Sequence, residues 1–291
     1  MIPCIWYVSK LGFPWERSVI GGMAGALRVH HPALEVYVDG GTADFGVFGM
    51  EGALSWQSLT LLERLRKISS APALWHLWGK APPWWNLVRA RSRTVHTSLE
   101  PSVVWKGHPT RLFSEQTAEG ESAIKATFDA QLMRGEEREE TPTSIFLEGR
   151  TLTPALKEAL GELNMPIVDM NKVSFRASVA RRGVFAAQGD PANSLLAACL
   201  AMQGLTVAGP DSSFLKELFG DEGYVLLKKN DVSSWKAALT SALSEEGRSL
   251  SISTRHRLNT QFSQAAVTES LSLVYRKLEK SWGLDERGKK A

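Results

Sequence analysis

The stretch "LEGRTLTPALK" contains the side chains best suited to binding an anion. Arg150 follows a glycine in a predicted turn, and a guanidinium can hold phosphate oxygens in a bidentate way. Helices predicted to begin after Thr153 and near Asn193 and Ser194 would add backbone N–H groups that favour negative charge. Arg150 is equally consistent with a surface arginine on a loop, and Lys157 with a solvated lysine.

His96 and Cys199 are the other side chains with reactive chemistry. His96 lies near the end of the predicted strand "RTVHTS", where a neutral imidazole can orient a hydroxyl or exchange a proton. A histidine at a strand end is more often a structural hydrogen-bonding residue. Cys199 lies inside a predicted helix with no base marked nearby, which favours a small buried core residue over a nucleophile.

Several classes of chemistry lack their sequence signals. There is no D-x-D motif, no His/Cys cluster with metal-ligand spacing, no G-x-x-x-x-G-K-[ST] and no G-x-G-x-x-G. We therefore expect no metal and no cofactor, and neither an NTPase nor a dehydrogenase. Two distant cysteines predict no disulfide framework and make a reducing, cytoplasmic compartment the default.

The first 105 residues or so alternate strand and helix. Apolar runs such as "IPCIWYV", "ALEVYV" and "PALWHLW" predict strands, and the segments between them have helical spacing. One predicted helix, "SWQSLTLLERLRKI", places Leu59, Leu62 and Leu65 on one stripe. This order predicts a parallel sheet with helical crossovers.

The alternation resumes after a charged break, "LMRGEEREETPTS", which we interpret as a linker between domains; a solvated helix end inside one domain is the alternative. Thr153 and Asp231 are predicted helix N-caps, and Gly204 closes a helix. The last helix carries an apolar face of Val267, Leu271, Val274 and Leu278. We predict domains at 1–135 and 143–263, with 264–283 as a helix that packs on the first.

Composition and charge limit the class of partner. The 291 residues are 43% hydrophobic and 22% charged, which is ordinary for a globular protein. A net charge of +3 is too small to predict nucleic-acid binding, yet it leaves contact with anionic lipid headgroups open. No apolar run approaches 18 residues, and the N-terminus predicts a buried strand instead of a signal peptide.

Tryptophan is abundant, with ten residues, and a cluster lies beside "KAPP". The cluster consists of Trp75, Trp78, Trp84 and Trp85. Indoles stack on sugar rings and anchor at membrane interfaces, but core packing is the interpretation that we favour.

From Ser144 to Leu278 the chain resembles the donor domain of GT-B glycosyltransferases, most nearly the retaining group-1 (family 4) enzymes. "SIFLEGRTLTPALKEAL" is similar to that family's strand–GR–helix segment, and "LFGDEGYVLLKKNDVSSWKAALTSAL" to its G-D-x-G-x-L-V and D-x-x-x-x-A-x-x-x-L pattern. The helix after "RLNTQFSQ" resembles the one that crosses back to the N-terminal domain. The resemblance implies an α/β protein with two Rossmann-like domains that face each other across a cleft.

Residue roles follow from this resemblance. It implies that Arg150 and Lys157 clamp the donor diphosphate and that Gly12, in "KLGFPWER", approaches the phosphates, although a structural turn fits Gly12 equally well. "LWHLWGK" resembles the family's H-x-H-G strand end, and "RTVHTS" resembles T-V-H-D. His96 is therefore the candidate catalytic residue, near the donor sugar.

The chain departs from the family at the Glu-x7-Glu motif. The two glutamates would fall at Pro191 and Cys199, and neither is a carboxylate. A thiol is a poor partner for the ribose diol, so the donor site would need another group, such as Asp190 or Asn193.

We therefore expect an active but divergent glycosyltransferase of hexosyltransferase type, with a nucleotide-diphosphate sugar as donor and a glycan, lipid or protein as acceptor. Retention follows from the resemblance. The alternative is a non-catalytic binding or scaffolding protein whose donor site has decayed.

Overall fold

The computed structural model describes nine stretches of the chain. They are residues 3–9, 14–40, 52–69, 73–89, 93–98, 107–128, 143–149, 152–172 and 183–281. These residues fall into two compact units. The first takes in the residues before 128, apart from 14–19, together with 264–281; the second takes in 14–19, Phe128 and 143–263. The predicted linker "LMRGEEREETPTS" lies outside the described residues, apart from Thr143 and Ser144 at its end. Among the described residues, no helix is long and apolar enough to cross a membrane.

The described strands of the first unit form a seven-stranded parallel sheet in the order β3-β2-β1-β4-β5-β6-β7. The strands are β1 (Cys4–Val8), β2 (Glu35–Val38), β3 (Leu54–Ser55), β4 (Leu74–Trp78), β5 (Arg93–Thr97), β6 (His108–Arg111) and β7 (Ser122–Ala123). β1 and β4 are buried along their whole length, as a sheet covered on both faces requires.

Helices connect these strands. They are α1 (Pro14–Arg28), α2 (Leu61–Ser69) and α3 (Trp85–Arg89), with short 3-10 helices at Trp56–Ser58 and Ser114–Gln116. A capping box starts α2: the Glu63 carboxylate accepts hydrogen bonds from Thr60 N at 2.7 Å and from its hydroxyl at 2.8 Å. Beneath α2 and α3 an aromatic core contains Trp56, Trp75 and Trp85. Most of the tryptophan cluster is therefore packed in the core.

The described strands of the second unit form a five-stranded parallel sheet in the order β12-β11-β10-β8-β9. The strands are β8 (Ser144–Leu147), β9 (Ile167–Asp169), β10 (Gly183–Ala186), β11 (Thr206–Gly209) and β12 (Val225–Leu226). The helices are α4 (Pro154–Leu163), α5 (Pro191–Met202), α6 (Ser213–Phe219), α7 (Val232–Ala242) and α8 (Glu245–Gln261).

Local signals fix where these helices begin and end. Thr153 caps α4 by accepting a hydrogen bond from Leu156 N, and Asp231 caps α7 by accepting one from Ser234 N, as predicted. α5 ends at Met202, and Gly204 follows with a φ of +95°, a left-handed conformation that favours glycine.

The last helix, α9 (Gln264–Ser281), belongs to the first unit. Its predicted apolar face is buried, and Tyr275 accepts a hydrogen bond from Trp6 Nε1 at 3.0 Å. Thr268 donates to the carbonyl of Ala26 at 3.0 Å, and the Lys125 amide donates to Ser270 Oγ at 3.1 Å. The predicted return of the C-terminal helix to the N-terminal domain is therefore confirmed.

The structure also differs from the sequence interpretation. The segment 55–58, predicted as the start of a helix, forms the end of β3 and a 3-10 turn, and α2 begins only at Leu61. Two of the predicted stripe leucines, Leu62 and Leu65, are exposed. The short strands β6 and β7 and the helix α8 were not predicted. α8 buries only small or polar residues apart from Leu258, so its sequence lacks a clear apolar stripe.

Candidate functional site

The second sheet has one point where its strand order reverses. β8 is followed in sequence by β9 on one side, whereas β10 lies on its other side and the chain then continues outwards to β11 and β12. Open α/β sheets bind ligands at such a switch point, beyond the carboxyl ends of the strands. The residues that follow β8 and β10 are therefore the candidate site.

Glu148 and Asn193 meet at this switch point. Glu148 directly follows β8 and is only 6% exposed; Asn193 lies in the first turn of α5 and is fully buried. Asn193 Nδ2 donates to Glu148 Oε2 at 3.2 Å, and Asn193 Oδ1 accepts from Gln188 N, after β10, at 2.7 Å. Asn193 thus ties together the ends of two strands and the start of a helix.

The first turn of α5 holds the other predicted donor-site residues. Asp190 is the N-cap, and its Oδ1 accepts from Asn193 N at 2.9 Å. Ser194 is fully buried beside Asn193. Within the described part of the chain, Ser194 Oγ and Gln188 Nε2 are buried without a hydrogen-bond partner. Buried polar atoms normally have partners, so these two atoms mark a place where a ligand hydroxyl or a water molecule would bind.

The turn after β8 is closed by a carboxylate from β9. Gly149 N donates to Asp169 Oδ1 at 3.1 Å, and the same oxygen accepts from Asn171 N at 3.0 Å. A Cβ added at Gly149 would lie 2.5 Å from Asp169 Oδ2, so a larger residue here would have to displace the carboxylate that closes the turn. Arg150 follows immediately and lies outside the described residues, as does Gly12.

The described side chains at this edge include the carboxylates of Glu148, Asp169 and Asp190. Lys172 lies 3.7 Å from Asp169, and Lys157 is exposed on α4, one turn after Thr153. Carboxylates accept hydrogen bonds from hydroxyls, which suits a ribose or a sugar better than a phosphate. A diphosphate at this edge would depend on backbone N–H groups and on cations such as Lys157.

Cys199 lies in the middle of α5 and is fully buried. Burial raises the pKa of its thiol far above the usual range, which keeps it protonated. The structure therefore gives Cys199 a core position on this helix, and the carboxylate at the switch point comes from β8 instead.

The predicted catalytic residue, His96, is fully buried near the end of β5, and its Nε2 lies 2.6 Å from the carbonyl oxygen of Gly79. Next to it on β4, His76 contacts Tyr275 Oη through Nδ1 at 2.6 Å and Thr97 Oγ1 through Nε2 at 2.7 Å. Burial, and then the neighbouring His96, lower the pKa of His76 well below its usual value, so its ring is neutral. Both histidines take part in the hydrogen bonding of the first sheet, and a catalytic role for His96 stays a prediction.

Sequence reasoning missed Glu148 as a site residue, and it offered Gln188 only as a substitute for the first glutamate of the Glu-x7-Glu motif. The available signal was position: each polar residue comes at or just after the end of a buried apolar strand. That signal is present in "SIFLE" and in "GVFAAQ".

No protein-family model and no curated protein matches the chain. Solved structures match its fold. HepE of Anabaena, in complex with UDP-glucose, matches with a TM-score of 0.64 at 11% identity, over 94% of this chain and 99% of its own. A glycosyltransferase of Rickettsia africae ESF-5 matches with a TM-score of 0.64 at 11% identity, over 96% and 99%.

A UDP-N-acetylglucosamine 2-epimerase matches more weakly, with a TM-score of 0.52 at 10% identity, over 100% of this chain and 99% of its own. At such low identities the likeness concerns the fold and leaves the activity open. The chain has an α/β fold of GT-B type, built from two Rossmann-like units with parallel sheets.

Proposed function

We propose that this protein is a glycosyltransferase that moves a sugar from a nucleotide-diphosphate sugar to an acceptor. The observation that carries the proposal is the pairing of Glu148 with Asn193 at the switch point, beside the buried polar atoms of Ser194 and Gln188. HepE, which has a similar fold, has been crystallised with UDP-glucose. This supports a nucleotide-sugar as the ligand of the site.

Glu148 would bind hydroxyls of the donor. The family that the sequence resembles uses a glutamate where this chain has Cys199, and the buried thiol cannot take that role. A carboxylate at the end of β8 lies at the same switch point and accepts hydrogen bonds from a ribose or sugar diol. Asn193 would hold this carboxylate in place and share its charge through the 3.2 Å hydrogen bond.

The phosphates would bind to the groups that the resemblance implies: the N–H groups at the start of α4 and α5, Arg150, Lys157 and Gly12. In the transfer step the bond from the sugar anomeric carbon to the leaving phosphate oxygen breaks, and the acceptor oxygen bonds to that carbon. The acceptor proton goes to the released phosphate. Positive groups stabilise the charge on the leaving group, so the proposal needs no metal and no cofactor.

His96 remains our candidate for orienting the donor sugar or the acceptor hydroxyl. Retention of configuration is the expected stereochemistry, because the resemblance is to retaining enzymes. The acceptor would be a glycan, a lipid or a protein, and cytoplasmic location stays a prediction.

Calorimetric titration with UDP and UDP-glucose tests the donor site. We expect Glu148→Gln, which keeps the shape of the side chain and removes its charge, to weaken UDP-glucose binding by roughly ten- to a hundredfold, the equivalent of about 1.5–3 kcal/mol. Glu246→Gln is the matched control, because Glu246 is an exposed carboxylate of the same unit. Titrations with GDP, ADP and their sugars identify the nucleobase.

The outcomes separate three functions. Binding together with transfer to an acceptor supports the proposal. Undetectable binding at millimolar nucleotide would favour the non-catalytic alternative. Conversion of UDP-N-acetylglucosamine to its C2 epimer without an acceptor, followed by NMR, would show that the chain acts like its epimerase neighbour and not as a transferase.

A further inference from the structure

Asp169 ends the strand β9 and lies beside the candidate site. β9 pairs with β8 in the sheet, and Asp169 is in register with Leu147. Met170 N still donates to Leu147 O at 2.9 Å, as a parallel ladder requires. One step further in the same register, Gly149 N would donate to Met170 O. Gly149 N donates instead to the side chain of Asp169, so the ladder stops at this point.

The Asp169 carboxylate takes the place of that ladder bond and holds the turn after β8. Its Oδ1 accepts hydrogen bonds from Gly149 N at 3.1 Å and from Asn171 N at 3.0 Å. One oxygen thus joins the residue after β8 to the residues after β9. The side chain is only 19% exposed, so water competes little for these hydrogen bonds.

The turn that Asp169 holds carries Glu148. Glu148 stands between the last residue of β8 and Gly149, whose N–H group is bound by Asp169. From the other side, Asn193 Nδ2 donates to Glu148 Oε2 at 3.2 Å. Glu148 is therefore fixed at two points, its backbone through Asp169 and its carboxylate through Asn193. A shift of the turn by about 1 Å is enough to break a hydrogen bond of this length and to misplace the carboxylate.

Other roles for Asp169 fit its contacts less well. Its Oδ1 already accepts two N–H groups, so a ligand hydroxyl bound there would have to displace one of them. Its Oδ2 lies 3.7 Å from Lys172 Nζ, but the Lys172 side chain is 81% exposed, and exposed ion pairs contribute little. What distinguishes Asp169 is its pair of backbone hydrogen bonds, which need an acceptor oxygen and no charge.

We propose that Asp169 is a positioning residue for the donor site, because it sets the turn after β8 so that the Glu148 carboxylate meets the donor hydroxyls. This inference rests on the proposed function, in which Glu148 binds those hydroxyls. Asp169 acts through the backbone and does not itself contact the donor. The same hydrogen bond occupies Gly149 N–H, so a donor phosphate binds N–H groups elsewhere, at helix starts such as that of α5.

Three variants separate the backbone hydrogen bonds from the charge. Asp169→Ala removes the acceptor oxygen, Asp169→Asn keeps an acceptor oxygen without the charge, and Lys172→Gln breaks the ion pair alone. In calorimetric titration with UDP-glucose, we expect Asp169→Ala to weaken binding by at least about tenfold and Asp169→Asn to recover most of this loss. Lys172→Gln is the matched control and should bind like wild type.

A double-variant cycle shows whether Asp169 acts through Glu148. In the Glu148→Gln background the carboxylate is already absent, so Asp169→Ala should weaken binding by at most about threefold more. The same loss from Asp169→Ala in both backgrounds would overturn the proposal, because Asp169 would then affect the donor by another route. Should Asp169→Ala fail to fold, Gly149→Ala, which displaces the same turn by its collision with Asp169, must weaken binding instead.

A measurement without donor separates this inference from the proposed function. The NMR signals of the Asn193 side-chain amide, assigned by their absence in Asn193→Ser, report its hydrogen bond to Glu148. We expect them to shift in Asp169→Ala and to keep their wild-type positions in Asp169→Asn. Unchanged signals in Asp169→Ala, or no recovery in Asp169→Asn, would overturn the positioning role. Shifted signals in a chain that binds no nucleotide-sugar would support the positioning of Glu148 and refute the proposed function.

Discussion

Replacing Tyr275 by phenylalanine should destabilise the first unit strongly. Tyr275 is buried on α9, and its hydroxyl lies between Trp6 Nε1 at 3.0 Å and His76 Nδ1 at 2.6 Å. Trp6 can only donate, so the Tyr275 oxygen accepts there; the same hydroxyl also contacts His76 Nδ1 and the Cys4 thiol. The change removes this oxygen and adds nothing to fill its place.

The buried hydrogen bonds that begin at Tyr275 continue further into the sheet. The neutral His76 ring carries one proton, so one of its nitrogens donates and the other accepts, and its Nε2 lies 2.7 Å from Thr97 Oγ1. Thr97 in turn contacts Thr110, whose hydroxyl donates to the carbonyl oxygen of His96 at 3.4 Å. A single hydroxyl on the last helix therefore orients a chain of buried groups that reaches across β4, β5 and β6.

The expected loss follows from the groups left without a partner. Trp6 Nε1–H and His76 Nδ1 would both be buried and unsatisfied, which lowers the free energy of unfolding by about 1–3 kcal/mol each, or about 2–6 kcal/mol in all. That is a large fraction of the roughly 5–15 kcal/mol by which a folded domain is stable. Tyr224→Phe is the control. The Tyr224 hydroxyl makes a long hydrogen bond of 3.4 Å to Pro210 O and accepts one from the Ser212 backbone, so its loss should lower the free energy of unfolding by only about 1 kcal/mol.

Urea denaturation followed by tryptophan fluorescence measures this difference. Six of the ten tryptophans are in described parts of the first unit, namely Trp6, Trp56, Trp75, Trp78, Trp84 and Trp85. With a typical urea dependence, the midpoint for Tyr275→Phe should fall by about 1–2 M. A shift no larger than that of Tyr224→Phe would refute the reasoning, because the hydroxyl would then not be a required buried partner.

Three further changes have definite expected outcomes. Below about pH 6.5 the free energy of unfolding of the first unit should fall by up to about 1.4 kcal/mol per pH unit, because His76 takes up a proton in the unfolded chain but, with its lowered pKa, not in the folded one. A urea midpoint that stays constant down to about pH 5 would contradict this. Gly149→Ala should destabilise the second unit by about 1–3 kcal/mol through its collision with Asp169, whereas Gly161→Ala, where an added Cβ meets nothing within 4 Å, should be neutral or stabilising in thermal unfolding. Asp190→Ala should lower the free energy of unfolding by about 1 kcal/mol, because it removes the N-cap of α5, and Asp190→Ser should restore most of that loss. Equal melting temperatures of the two variants would show that the cap does not contribute to stability.

Much of the secondary structure of the second unit could be predicted from local sequence. The apolar run of β8, the cap at Thr153 and the glycine at 204 each act over a few residues, so the sequence alone indicates them. The final helix was predictable for the same reason, because its apolar stripe repeats at helical spacing. α8 was missed because small and polar residues, such as Gly247 and Ser251, pack against the rest of the unit.

The candidate site was only half predictable. Asp190, Asn193 and Ser194 could be placed at a helix start, but Glu148 could not be paired with Asn193, 45 residues away. That contact depends on β8 and β10 becoming neighbours, with Phe146 opposite Phe185 in register. Strand pairing of this kind is decided by how the whole sheet assembles.

The sequence by itself determined the alternation of strands and helices, the helix caps and the apolar face of α9, because these depend on residues within one or two turns of each other. Only the tertiary structure decided which side of α2 faces water. Leu62 and Leu65 form a regular stripe, which in isolation predicts a buried face. The contacts of Arg64 with Gln57 and of Lys67 with Glu35, 32 residues away, rotate that stripe outward, since hydrogen bonds between distant segments form only once the sheet has brought those segments together.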